Sequence, residues 1–231
     1  MMASMSDPST PRPARGRPPR LDQARTVETA LTLLDESGLD ALTMRRLADA
    51  LGVQAGALYR YFRTKEDLLT AMAERIMAGI DAPTGAADWR DRLTGLAGAL
   101  RQALLAHRDG ARVFAGTHST GPATLGFAET CTGVLREAGF SDADAARTMV
   151  AVVHFTVGHT LEEQAVGEGE GGLPADPEVL RGAVSSGAYP HLTAALPTLT
   201  DPDYAPHFEF GLALLMSGIE ARARFTRGGP C

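Results

Sequence analysis

Lysine is almost missing from this chain of 231 residues: Lys65 is the single one, and every other basic side chain is an arginine. Cysteine is nearly as scarce. Cys131 and Cys231 are too few for a disulfide framework, and a reducing compartment is expected. No uninterrupted apolar run of about 18 residues occurs, so no membrane span is expected. The N-terminus has no apolar signal region, so a cytoplasmic protein is expected. A nucleophile elbow, a metal-spaced cluster and a phosphate-binding loop are all lacking. An enzyme built on His118, His154 and Glu162 therefore has no motif behind it, and no metal or cofactor is expected. Strand-like alternation and internal repeats are lacking too, which leaves an all-α chain.

What is present is globular. Hydrophobic residues make up 44% of the chain, and its length fits one large or two small domains. The excess of Arg over Lys, with abundant Ala and Gly, fits a GC-rich bacterial genome. The net charge of −6 hides a division. Residues 1–65 hold ten basic and seven acidic residues, whereas 66–231 hold twelve and twenty-one. A basic N-terminal end and an acidic remainder suit a protein that touches DNA with one end only.

Residues 1–20 are rich in Pro, Ser and Arg without apolar period and read as a flexible arm. Within it, Arg15-Gly16-Arg17-Pro18 resembles the core of an AT-hook. Arg15 and Arg17 could enter a narrow A·T minor groove, or the arm could be a solvated basic tail. Residues 21–82 are expected to form a helix-turn-helix domain and 83–231 a larger helical domain for ligand binding and dimerisation.

The first predicted helix runs from Asp22, its N-cap, to Ser37, with Gly38 as its stop. Thr43 caps the second, Gly52 and Val53 make a tight turn, and the third spans Gln54 to Tyr61. The fourth starts at Thr64 with Asp67 in a capping-box pattern and is expected to end at Pro83 and Gly85. Further helices are expected over about 88–106, 109–115, 122–138, 142–166, 177–186 and 204–227, with 167–177 an acidic loop.

A helix-turn-helix reads DNA by presenting the start of its second helix to base edges. Gln54, Ala55, Ala57 and Arg60 are the expected base contacts: Gln54 can pair with adenine and Arg60 with guanine, and an alanine methyl can meet thymine's. Thr43, Arg45, Tyr59, Tyr61 and Lys65 are the expected phosphate contacts. Lys65 at a helix start is slightly disfavoured by the dipole, which a phosphate contact would explain.

Gly38, Leu42-Thr43, Leu47-Ala48, Leu51-Gly52-Val53, Leu58-Tyr59 and Lys65-Leu68-Leu69 together resemble the tetracycline-repressor (TetR) family over about residues 22–80. Beyond them, His107-Arg108-Asp109-Gly110-Ala111-Arg112-Val113 with Gly116-Thr117, then His154-Phe155-Thr156-Val157-Gly158 with Leu161-Glu162, and Phe210-Gly211-Leu212 through Gly218-Ile219-Glu220 are similar to its drug-sensing subfamily. The resemblance implies a repressor that binds a palindromic double-stranded DNA operator as a homodimer. Pairing through the 142–166 helix and the C-terminal helix is implied, as is release by a small-molecule effector.

In that subfamily a histidine at the end of the sixth helix binds the magnesium of a tetracycline chelate; the matching residue here is Phe114, which cannot ligate a hard cation. Drug-holding polar or aromatic positions fall on Leu96 and Leu100, and another histidine position on Asp81. Thr117, His154 and Glu162 match, and His118 stands where the family has Arg. The expectation is a largely apolar effector without a metal, lined by Leu96, Leu100, Phe114, Phe127, Val134 and Met149. Thr117, His118, His154 or Glu162 would be polar anchors. The apolar members fit ordinary core equally well, and His154 fits a packing surface. His159 and Glu163 read as an exposed i, i+4 pair. The alternative is a tetracycline-type drug-responsive repressor of an efflux or resistance gene. Arg108–Thr117 is the expected coupling element, with Gly110→Val expected to weaken induction and spare operator binding.

Overall fold

A computed structural model describes residues 22–80, 88–166, 177–184 and 187–227. Among these residues the protein is all-α, with eleven helices. The first four are α1 (Gln23–Ser37), α2 (Met44–Leu51), α3 (Ala55–Leu58) and α4 (Lys65–Met77). Then come α5 (Trp89–Leu105), α6 (Gly110–Ala115), α7 (Pro122–Glu137) and α8 (Asp142–Val166). The last are α9 (Pro177–Val184), α10 (Pro190–Leu199) and α11 (Ala205–Arg227).

Local chemistry sets most of the helix ends. Asp22 accepts the Ala24 amide and Gly38 stops α1 at φ 78°. The Thr43 hydroxyl caps α2, and Gly52 closes it in the left-handed region at φ 67°. No atom would meet a Cβ at Gly52, so glycine is required there for conformation alone. Thr64 and Asp67 complete a reciprocal capping box at the start of α4.

Three expectations need correction. The third helix is a single turn, and Tyr59 to Tyr61 follow it as a turn, with the Tyr61 and Phe62 amides both bonded to the Leu58 carbonyl. The fourth helix ends at Met77 rather than at Pro83, because Gly79 follows and the Ala78 and Gly79 amides turn back on Glu74 and Ile76. The tenth helix is an addition. Pro190 occupies its first turn, where no amide is needed, and Pro197 lies inside it. It buries no residue, so no apolar stripe betrayed it. The arm, including Arg15 and Arg17, Asp81, Pro83 and Gly85, and the expected loop over 167–176 all lie outside the described residues.

Two apolar clusters hold the chain. The first joins Leu31, Leu34, Leu47 and Phe62 of the head to Leu68, Met72 and Ile76 of α4, and continues into Leu100, Leu104 and Val113. The second packs Leu93 and Leu96 of α5 with Val134, Leu135, Val152, Phe208, Leu212 and Met216. Head and core thus share one cluster across α4.

The turn between α5 and α6 is a tight packing point. A Cβ on Gly110 would stand 2.2 Å from the Leu104 carbonyl oxygen, a backbone atom that cannot swing aside. Gly110→Val is therefore no clean probe of induction, because it displaces α6 itself. Gly110→Ala should destabilise the protein by about 1–3 kcal/mol, read as a lower urea midpoint, with an unchanged midpoint overturning this packing argument.

Candidate nucleic-acid interface and effector cavity

Most of the candidate DNA contacts of the head are exposed. Gln54 caps α3 through its backbone, leaving its side chain exposed. Arg45, Arg60, Tyr59 and Tyr61 are exposed as well, the two tyrosines at 50% and 43%. Solvent-facing tyrosines of that size find use where a hydroxyl can meet phosphate. Ala55 and Ala57 are half-buried, with Ala55 packed against the first cluster. Thr43 keeps its hydroxyl proton available, since its oxygen accepts the Arg46 amide at 3.2 Å. Lys65 reaches back to the Leu39 carbonyl, 3.5 Å from Nζ, which anchors its ammonium beside the α1–α2 loop. Arg46 and Arg63 are exposed beside these residues and were not singled out from sequence; the doublet Arg45-Arg46 was the available signal.

The segment Arg108–Thr117 docks on the head. Asp109, buried and left-handed at φ 57°, accepts the Leu39 amide at 2.7 Å and the Arg112 guanidinium at 2.8 Å. Arg112 also pairs with Asp40 at 3.0 Å, and its own charged form is favoured accordingly, chiefly by the bonds to Asp40 and Asp109. One turn away, Asp35 at the end of α1 accepts the Arg108 amide at 3.0 Å and meets His107 Nδ1 at 3.0 Å. Gln164 of α8 holds this turn from behind: its amide nitrogen donates to the Leu104 and His107 carbonyls, and its oxygen accepts the Ala111 amide. Apart from the Asp109–Arg112 pair, the partners lie 53 to 73 residues apart, so no sequence pattern marks them.

A cavity of about 330 Å³ opens between the foot of α4, α5 and the start of α7. Met77, Ile80, Leu96, Ala123, Gly126 and Phe127 form most of its wall. Of the ligand residues expected from sequence, it brings together Leu96 and Phe127. Leu100 is fully buried in the first cluster, against which Phe114 packs. Val134 is buried in the second cluster, and Met149 packs against it. The Thr117 hydroxyl donates to the Phe114 carbonyl at 3.0 Å, and His118 is exposed. His154 and Glu162 are exposed on the outer face of α8, away from this cavity. Met77, Ile80, Ala123 and Gly126 were missed because they read as ordinary helix stripe and helix end.

Beside the cavity stands Glu74 of α4. Its carboxylate accepts the Ser119 hydroxyl at 2.7 Å, the Thr124 hydroxyl, and the Ala123 and Thr124 amides at 3.0 and 3.1 Å. Burial opposes ionisation, but the bonds from Thr124, Ser119 and the two amides outweigh it and hold the carboxyl below its ordinary range.

The expected exposed pair His159 and Glu163 is instead inside. Arg101 clamps Glu163 with Nε and Nη2, at 2.8 and 2.6 Å, and lies over the Phe208 ring at 5.1 Å. His159 Nδ1 is 3.9 Å from Glu163 but is buried without a hydrogen-bond partner. Burial lowers the histidine's pKa from the ordinary 6.5, against the pull of Glu163 and with the help of Arg101 and His207. The unfolded chain thus takes up this proton first as pH falls. The stability contributed by neutral His159 is complete above 6.5 and is lost on acidification through the lowered value. Unfolding midpoints should fall between about pH 7.5 and 5.5, and His159→Phe should remove part of that fall. An identical pH slope in the variant would refute the assignment.

Comparison with known proteins places both halves. Residues 27–72 match the profile of "Bacterial regulatory proteins, tetR family" and residues 82–223 that of "Tetracyclin repressor-like, C-terminal domain". The class A tetracycline repressor protein from transposon 1721 of Escherichia coli is 41% identical over 221 residues, covering 91% of this chain and 97% of that one. The crystal structure of a possible TetR family transcriptional regulator from Streptomyces coelicolor A3(2) superposes with a TM-score of 0.82 at 65% identity, over 87% of this chain and 99% of that one. ActR of Streptomyces coelicolor, in complex with actinorhodin, superposes at 0.79 with 30% identity, over 88% and 98% of the two chains.

Proposed function

The chain belongs to the TetR family of bacterial regulatory proteins, and we propose from that premise that it is a homodimeric repressor of a palindromic operator, released by a small, largely apolar effector. The observation that carries this reading is the continuity of α4. Its first residues follow the DNA-reading turn, and Met77 at its foot forms part of the cavity wall. An effector seated there acts on the head directly. To release DNA it must bind the DNA-incompetent arrangement better than the competent one, and the shift is limited by that difference.

The domain division proposed is an arm over 1–20, the head over 21–82 and the regulatory domain from 83 onward, with α4 belonging to both. In the head, Gln54, Ala55, Ala57 and Arg60 would meet bases, with Thr43, Arg45, Tyr59, Tyr61 and Lys65 on phosphates. Arg15 and Arg17 would extend the footprint into a minor groove.

The effector reading rests on the cavity wall. Leu96 and Phe127 supply apolar surface, while Leu100 is buried in the first cluster with Phe114 packed against it. By the family resemblance, Leu96 and Leu100 stand at drug-holding polar or aromatic positions and Phe114 at a metal-ligating histidine. Hydrocarbon side chains there offer no oxygen or imidazole to a magnesium chelate. ActR, whose structure is in complex with actinorhodin, is a second relative whose ligand is a small molecule. The rival reading, a tetracycline-type sensor, draws on the 41% identity to the class A repressor. Titration with tetracycline and magnesium decides between them: weak, metal-independent binding is expected, and tight binding that vanishes on magnesium removal would establish the rival.

The dimer reading rests on exposed apolar surface along α8 and α11. Phe210 and Leu214 are 69% and 60% exposed on α11, and Val150 stands out on α8. His154 and Glu162 lie on the same outer face of α8, which gives both a role in pairing rather than in the cavity. Leu214→Glu would bury two charges against each other across a two-fold. It should yield a monomer by sedimentation and weaken binding to a palindrome selected from genomic DNA fragments by at least about 100-fold. A variant that stays dimeric with full operator affinity would refute this interface.

A further inference from the structure

The α7 helix has no cap of its own. Gly121 occupies its N-cap position without a side chain, and the Ala123 and Thr124 amides would be orphans at that end. Both are taken by Glu74, a residue of another helix. Glycine at 121 is what lets it in: a Cβ there would stand 2.2 Å from the Glu74 carboxyl carbon. Ser119 completes the cradle, donating to Glu74 while accepting the Gly121 amide at 3.0 Å.

The next residue of α4 points the other way. Arg75 pairs with Glu28 on α1, in the head. Consecutive residues of one helix therefore grip the regulatory domain and the DNA-reading domain. Ala123 has a double position as well. It donates its amide to Glu74 and, like Met77 and Ile80, lines the cavity.

We propose that Glu74 is the positioning residue through which filling of the α4–α7 cavity reaches the DNA-reading head. An occupant that parts Met77 from Ala123 pulls the first turn of α7 off the Glu74 carboxylate, and α4 with its head is then free to take the DNA-incompetent arrangement. The inference rests on the reading of this cavity as the effector site, and adds the residue that transmits its state.

The test needs no effector, because the cavity can be filled from within. Gly126 is part of its wall, and a Cβ at that position meets nothing within 4 Å. Gly126→Phe thus stands in for a bound apolar group. Binding of the full-length protein to the selected palindromic fragment is measured for the parent, Gly126→Phe, Glu74→Gln and the double variant. Gly126→Phe is expected to weaken operator binding about 10-fold in the parent, and by less than about 2-fold in the Glu74→Gln background. An equal loss in both backgrounds overturns the role of Glu74 while leaving the cavity reading intact. No loss in the parent overturns the cavity reading and this inference with it. Circular dichroism melts check that Glu74→Gln folds. If it does not, the double variant Ser119→Ala/Thr124→Val, which keeps the carboxylate and both amide donors, takes its place as the background, and the same two results overturn the same two claims. Thr124→Val alone should give an intermediate loss that a purely structural role of the carboxylate would not grade.

Discussion

Helix α4 buries Leu68, Met72 and Ile76 in the same apolar cluster that contains Leu34, Leu47 and Phe62 of the head and Leu100, Leu104 and Val113 of the core. Each of these side chains is worth roughly 1.5–3 kcal/mol when removed from water, so no single one can be withdrawn cheaply. The head cannot turn relative to the core by loosening this cluster as a whole. It can turn only if α4 moves as a rigid rod with its apolar stripe re-seated. This is why the informative polar contacts lie at the rim of the cluster rather than in it. Glu74 and Arg75 of α4 grip α7 and α1 respectively, and Asp109 with Arg112 grips the α1–α2 loop from the start of α6.

Three carboxylates at this rim share a design. Each satisfies backbone amides from a different element: Asp109 takes Leu39, Asp35 takes Arg108, and Glu74 takes Ala123 and Thr124. A charged acceptor on an amide is stronger than a neutral one, and leaving the amide orphaned is costly. Such contacts are made or lost as units, which gives two discrete arrangements rather than a continuum. Asp109 accepts a left-handed backbone to reach its amide, a strain of order 1–3 kcal/mol that the surrounding bonds must sustain.

The fold was legible where its causes are local. Asp22, Thr43, Gly52 and the Thr64–Asp67 box act on their own neighbours, so α1, α2 and α4 start where the residues say. The end of α4 was misplaced because the strong punctuation of Pro83 and Gly85 outshone a single Gly79. The tenth helix was hidden behind two prolines with no buried face to reveal it. In the candidate site, Leu96 and Phe127 could be named through family resemblance, and the structure puts both on the cavity wall. Glu74 could not be named. It is an acidic residue beside an arginine on a helix, a pattern that normally marks a solvated face, and its partners are about 50 residues away. His159 and Glu163 failed for the same reason: only the approach of Arg101 and Phe208 from α5 and α11 takes the pair out of water.

The geometry also limits how large a signal the cavity can send. From Lys65 to Met77, α4 is a rod of about 18 Å at 1.5 Å per residue, so a displacement of one ångström at its foot is not magnified much at its head. On the proposed dimer reading, magnification comes from the second copy. Two heads on a two-fold axis must match two half-sites about 34 Å apart, and a small, opposite tilt of each changes their separation twice over. On the proposed reading, an effector held only by Leu96, Phe127 and their neighbours can then suffice. It needs no strong polar bond, because the energy it must supply is the difference between two nearly balanced arrangements rather than the whole cost of dislodging a protein from DNA. On the proposed reading, a largely apolar cavity keeps that capacity, provided one contact at its edge converts occupancy into a choice between arrangements.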